Sequence, residues 1–244
     1  MENSNISWTD NTWNPWIGCR HVSAECDHCY ADAAVTRRMK QDFNDVHLSQ
    51  TWRDPLKWNR EAQKSGQRSR VFCASYSDFF IQDADAWRDE AWKLIRECSN
   101  LDWQILTKRP QLITARLPKD WGNGWPNVWL GTTCGVRSSY SRVDALRNIP
   151  AAVRFISAEP LLESLHDINL TGYHWLIVGG ESGPGFRPMC DEWAAELRDI
   201  CTRQQVGFFF KQHSAFKPGQ GAELYGKKYH ESPLVHIAMK GEYL

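Results

Sequence analysis

Short, almost continuously apolar runs alternate along the chain with longer stretches in which apolar residues recur every three or four positions. The runs at 70–76 (RVFCASY), 103–107, 128–133, 153–158, 175–178 and 206–210 predict strands. Between them, Ala84, Trp87, Ala91, Leu94, Ile95 and Cys98 share one face of a predicted helix over 84–98. Further helices are predicted from Pro110 through Leu117, over 137–149, and over 190–204 with Trp193, Ala194, Leu197, Ile200 and Cys201 on one side. An entry strand is expected near Ile6–Trp8 and a helix from Tyr30 to about Gln41. The segment 42–69 reads as a long polar loop with one helical turn, and the chain from Lys217 on as a loop-rich tail with little core.

Strands alternating with helices call for parallel strands joined by right-handed crossovers. Runs without polar interruption suit a sheet covered on both faces. The expected fold is α/β, a partial (β/α) barrel of about six to seven parallel strands, with a doubly wound open sheet as the alternative. One domain is expected over 1–216, carrying a cysteine loop at 19–29, followed by a tail at 217–244.

In either topology a ligand lies at the carboxyl ends of the strands. Polar residues gather there: Ser75, Ser77 and Asp78; then Thr107, Lys108 and Arg109; then Thr132, Thr133 and Cys134. Ser157 and Glu159 follow, then Gly179, Gly180 and Glu181, and finally Lys211, Gln212 and His213. The cysteine loop follows the expected entry strand, so it should crown the same end.

Composition narrows the function classes. Net charge is zero, so no global basic field advertises nucleic acid or an anionic membrane. No run approaches the roughly 20 apolar residues of a membrane helix. The first residues lack the basic-then-apolar pattern of a secretion signal. The eight cysteines are therefore expected reduced in a cytoplasm, free to hold metal rather than pair. Thirteen tryptophans exceed what a core of this size usually needs, and some could line a pocket for a flat substrate.

Cys19, Cys26 and Cys29 stand at C-x6-C-x2-C, and the next cysteine is Cys73. Structural zinc normally takes four protein ligands, whereas a reactive centre keeps one position open. Three thiolates would leave one corner free. With His21 or His28 as a fourth donor, the same loop reads instead as a zinc site.

The stretch T-W-N-P-W-x-G-C-x6-C-x2-C-Y-A resembles a phage-associated three-cysteine-motif family grouped with radical S-adenosylmethionine proteins. The blocks VFCASYSDFF, LTKRP, WLG, SAEPLL, VGGESGPG and FFKQ resemble it too, over roughly residues 7–213. The resemblance implies a 4Fe–4S cluster on Cys19, Cys26 and Cys29, with S-adenosylmethionine chelating the fourth iron. Reductive cleavage would give a 5′-deoxyadenosyl radical, with a flavodoxin or ferredoxin as electron donor. Tyr30, Ser75, Ser77, Asp78, Lys108, Thr132, Glu159, Gly179, Gly180 and Glu181 are the candidates for holding that cofactor. Trp13, Trp16, Arg109, Lys211 and Gln212 are candidates for a nucleotide or nucleic-acid-like substrate, since stacking beside cations suits such ligands. Cys134 or Cys73 could give a hydrogen atom to a product radical. The alternative is a zinc-stabilised, non-catalytic nucleic-acid-binding or adaptor protein.

Overall fold

Each apolar run forms a strand because its side chains can be covered on both faces. The computed structural model describes residues 2–233. A sheet of seven strands contains β1 (Asn11–Trp13), β4 (Ser69–Cys73), β5 (Leu101–Thr107), β6 (Val128–Thr133), β7 (Val153–Ala158), β8 (Trp175–Gly179) and β9 (Gly207–Gln212). They lie in that order, so sheet order follows chain order without a reversal. A doubly wound sheet needs such a reversal, so the partial (β/α) barrel is the one realised. Pairs β1–β4, β4–β5, β7–β8 and β8–β9 are parallel. The two remaining short strands, β2 (Trp16–Ile17) and β3 (His47–Leu48), pair antiparallel, Trp16 opposite Leu48.

The chain divides into two compact units. The first takes Met1–Val22, Cys29–Gly131 and Ile149–Ala152; the second takes Ser23–His28, Thr132–Asn148 and the chain from Val153 on. No helix among the described residues is long and apolar enough to cross a membrane.

In the first unit the entry strand is displaced from its expected place. Ile6–Trp8 form a turn, and the strand starts at Asn11. The carboxylate of Asp10 accepts from the backbone N–H of Arg70 at 2.8 Å and from its guanidinium at 2.9 Å, which sets β1 against β4 at this point. Trp8 is buried against Phe72 without belonging to a strand.

Helix α1 (Tyr30–Ala33) runs on as a π-helical turn, Ala34–Met39, and ends at left-handed Lys40. The expected loop over 42–69 instead contains a twelve-residue helix, α2 (Asp54–Ser65). Pro55 occupies its first turn, Gly66 ends it in the left-handed region, and Pro55, Trp58 and Ala62 form its buried stripe. The polar residues around that stripe are its solvated face.

Helix α3 (Asp85–Glu97) matches its expected span and buries Ala91, Trp92, Leu94 and Ile95. The helix expected from Pro110 is two 3₁₀ turns, Pro110–Leu112 and Thr114–Arg116. Pro118 biases Leu117 to extended backbone, so the helical stretch stops at Arg116.

In the second unit, α4 (Tyr140–Arg147) follows a 3₁₀ turn at Arg137–Ser139, and α5 (Asp191–Gln204) buries Ala194, Leu197, Ile200 and Cys201. The tail is more than loose loop. Phe210 donates its N–H to Tyr229 O at 2.8 Å, Glu231 N–H reaches Phe208 O, and the His230 ring stacks on Phe209 at 4.5 Å. The backbone of 229–231 thus lies along β9, where unpaired strand groups would otherwise stand. Leu224 is fully buried. The last part of the expected tail, 234–244, lies outside the described residues.

Candidate functional site

In the first unit the ends of β4 and β5 are joined through one carboxylate. Asp78 Oδ1 accepts from Phe80 N–H at 2.9 Å and Thr107 Oγ1 at 2.7 Å. Its Oδ2 accepts from Lys108 N–H at 2.9 Å and Arg109 Nη1 at 3.0 Å. A carboxylate offers about four acceptor positions, and all are used. Arg109 then reaches the cysteine loop: Nη1 lies 3.6 Å from Cys19 Sγ, and Nη2 donates to Arg20 O at 2.8 Å. Burial and the charge of Asp78 push the Cys19 thiol up to about 11, against the pull of the Arg109 guanidinium.

Gly18, just before that cysteine, has φ +102°, and a β-carbon there would come within 2.7 Å of Asp45 O. Only glycine fits the approach that presents Cys19. Asn14 Oδ1 accepts from Tyr76 N–H at 2.8 Å, and Tyr30 OH donates to Ser75 O at 3.0 Å. Ser77 Oγ donates to Gly18 O, which ties the exit of β4 to the cysteine loop. Ala74, at φ +60°, is a non-glycine residue in the left-handed region, strain of order 1 kcal/mol or more held at a strand exit.

The second unit holds the loop segment Ser23–His28 from two sides. On one side, Glu25 is buried, and its Oε1 accepts from Ser139 Oγ at 2.7 Å, Gly135 N–H at 3.2 Å and Arg142 Nη1 at 3.2 Å. Burial works to raise this carboxyl, but the hydrogen bonds and Arg142 outweigh it and hold it below the ordinary range. On the other side, Arg187 donates to Ala24 O at 2.9 Å and Asp27 Oδ2 at 3.1 Å while gripping Glu181. Cys26 closes the 3₁₀ turn between these anchors and is half-buried.

The remaining candidates of the second unit are largely structural. Cys134 is wholly buried, its thiol pushed up to about 12 by burial, and Sγ points at Val136 O. Thr132 is wholly buried too. Glu159 pairs with Lys211 at 2.7 Å and accepts from Ser157 Oγ at 3.2 Å. Gln212 is spent on Gly180 O and Gly219 N–H. A β-carbon at Gly180 would fall 2.2 Å from Ser214 N, and one at Gly179 would meet the Glu159 carboxylate at 2.9 Å. Backbone packing accounts for Gly180, whereas the atom met at Gly179 is the end of the Glu159 side chain.

The substrate residues need correction. Trp13 and Trp16 are fully buried. Trp13 packs edge-on against Trp52 and Trp103 and donates to Trp52 O; Trp16 packs on Phe79 and donates to Asp78 O. Neither offers a face for stacking. Arg109 is buried and its guanidinium is committed as described, so it too is part of the frame. Cys73 is fully buried with its thiol raised well above the ordinary value by burial. Lys108 differs: its side chain is half-buried, and its ammonium enters no ion pair among the described residues.

Sequence reasoning missed Asn14, Glu25, Ser139, Arg142 and the contacts of Arg187 with Ala24, Asp27 and Glu181. The one local signal was Glu25, an acid within a cysteine loop and next to a cysteine. Its partners lie more than a hundred residues away, beyond any periodicity.

Cys19, Cys26 and Cys29 are all free thiols and partly exposed, so the loop offers three sulfur donors of the type that metal groups take once deprotonated. Cys19 and Cys29 belong to the first unit and Cys26 to the second. Among the described residues, no three His, Cys, Asp or Glu side chains are gathered in an arrangement that could hold a metal ion. A family model described as "Protein of unknown function (DUF5131)" matches residues 3–235. The chain belongs to this family. A search of curated proteins and a search of solved structures each found no match.

Proposed function

We propose that this member of the family is a radical S-adenosylmethionine enzyme acting on a nucleotide or nucleic-acid-like substrate. The observation that supports the reading is that three free cysteines follow β1 and the short β2 in the chain, β1 being the first strand of a seven-stranded sheet whose order follows the chain. In a parallel α/β sheet the carboxyl ends of the strands are where ligands bind.

Cys19, Cys26 and Cys29 would hold a 4Fe–4S cluster. When bound with S-adenosylmethionine, that group supplies one-electron cleavage of a sulfonium and hydrogen-atom abstraction, chemistry that belongs to the cofactor. The chain's own part is placement. Arg109 keeps a cation and an N–H donor beside Cys19 Sγ, and hydrogen bonds to ligand sulfur tune such centres. Asp78 fixes Arg109 and Lys108 in register at the ends of β4 and β5. Lys108 is the cation for a carboxylate of the cofactor or a phosphate of the substrate. Eight free cysteines accord with a reducing, cytoplasmic setting.

Anaerobic purification tests the reading. The expected result is a brown protein with four irons and matching sulfide, which on reduction converts S-adenosylmethionine to methionine and 5′-deoxyadenosine. A colourless protein with one zinc, no sulfide and no cleavage overturns it in favour of the zinc-stabilised adaptor.

A further inference from the structure

We infer that Glu181 and Arg187 act as one clamp on the residues flanking Cys26, and that Glu181 is a positioning residue rather than a cofactor ligand. All four residues concerned belong to the second unit, as do His28 and the rest of the segment 23–28. The inference rests on the metal reading only in taking Cys26 as a ligand; it does not depend on which metal is held.

Glu181 is buried at the exit of β8. Its Oε1 accepts from Arg187 Nη2 at 2.6 Å. Its Oε2 takes Arg187 N–H at 2.8 Å, Arg187 Nε at 3.1 Å and His28 Nδ1 at 2.9 Å. Four contacts fill the acceptor capacity of a carboxylate, so an ammonium from a ligand would have to evict one of them. A bidentate guanidinium pair, here part-buried, is stronger than a single contact and correspondingly harder to displace.

Arg187 then spends the rest of its fork on the loop, with Nη2 on Ala24 O at 2.9 Å and Nη1 on Asp27 Oδ2 at 3.1 Å. These residues stand on either side of Cys26. His28, also on Glu181, adds a third hold on the same segment. The run Gly183-Pro184-Gly185 ahead of Arg187 turns the chain, with Gly183 at φ +119° and Gly185 at φ +75°. A lysine could satisfy one of these contacts but not the fork.

The test uses the full-length, reduced, metal-free chain. Iodoacetamide labelling is followed at each cysteine by mass spectrometry, with Cys190 as internal control. Arg187→Ala and Glu181→Gln are each expected to raise the Cys26 rate about tenfold by populating an opened loop. Cys190 should change less than twofold, and amide exchange should rise over 23–28. The double variant should be no faster than the faster single one, since both changes remove one unit. Arg187→Lys should fall between, and it carries the test if Arg187→Ala does not fold. A Cys26 rate within twofold of the parent in folded Glu181→Gln and Arg187→Lys overturns the clamp. So does weaker S-adenosylmethionine binding by the metal-loaded Glu181→Gln protein when the Cys26 rate of its metal-free form is unchanged. Zinc in place of iron would sink the radical reading and leave this result standing.

Discussion

Nη1 of Arg109 lies 3.6 Å from Sγ of Cys19, and the same nitrogen is 3.0 Å from Asp78 Oδ2. One buried cation thus faces a strand-end carboxylate and a cysteine of the loop. Removing it strands Asp78 as a buried charge. Arg109→Met is expected to cost about 3–5 kcal/mol, the usual penalty for breaking one side of a buried pair. Urea unfolding measures it; a loss below about 1 kcal/mol would show that the pair is solvated in solution.

Trp16 discriminates between core and substrate roles. Its ring is packed on Phe79, with Arg88 5.8 Å from the ring centroid, and it is fully buried. Trp16→Ala should therefore cost about 3–5 kcal/mol of stability, as large aromatic truncations do. A variant of near-parent stability that has lost substrate affinity would return Trp16 to the binding role.

Gly180→Ala probes a close approach in the second unit. The new methyl would meet Ser214 N at 2.2 Å, and backbone cannot step aside as a flexible side chain can. A loss of about 1–3 kcal/mol is expected from overpacking. Chemical denaturation of the variant checks it, and an unchanged midpoint counts against the close packing.

Acid sensitivity should trace partly to Asp10. Burial works to raise this carboxyl, but the side-chain and backbone hydrogen bonds of Arg70 and its charge outweigh that and leave it below the ordinary value. A folded-state value below the unfolded one means the contribution is present above the unfolded carboxylate range. It is lost as pH falls through the folded value. The gap in melting temperature between the parent and Asp10→Asn should be widest near neutrality and close on acidification. A gap that widens towards low pH contradicts the assignment.

The tail should matter to stability. A chain ended after Phe216 loses the backbone bonds of 229–231 to β9 and the cap of Glu231 O on the Trp175 indole, 2.8 Å long. The uncovered strand edge should lower the melting temperature and promote association. Light scattering and thermal melting against the full chain decide this; equal behaviour would make the covering dispensable.

The sequence alone determined the repeating β/α order, most strand positions and the cysteine spacing. Those features are local: an apolar run long enough for one strand, a helical stripe, three sulfurs within one short loop. Val128–Thr133 and Val153–Ala158 fall where the pattern puts them, because a strand buried on both faces is marked by its own residues. Helix α2 was also locally written, in Pro55, Trp58, Ala62 and Gly66, but its many polar positions masked a narrow stripe. Tertiary structure decided the roles. Trp13, Trp16 and Arg109 have side chains equally suited to a core or a pocket, and only burial chooses between them. Glu25, Glu181 and Arg187 hold the cysteine segment through partners distant in the chain, and hydrogen bonding of that kind leaves no periodic trace in a sequence.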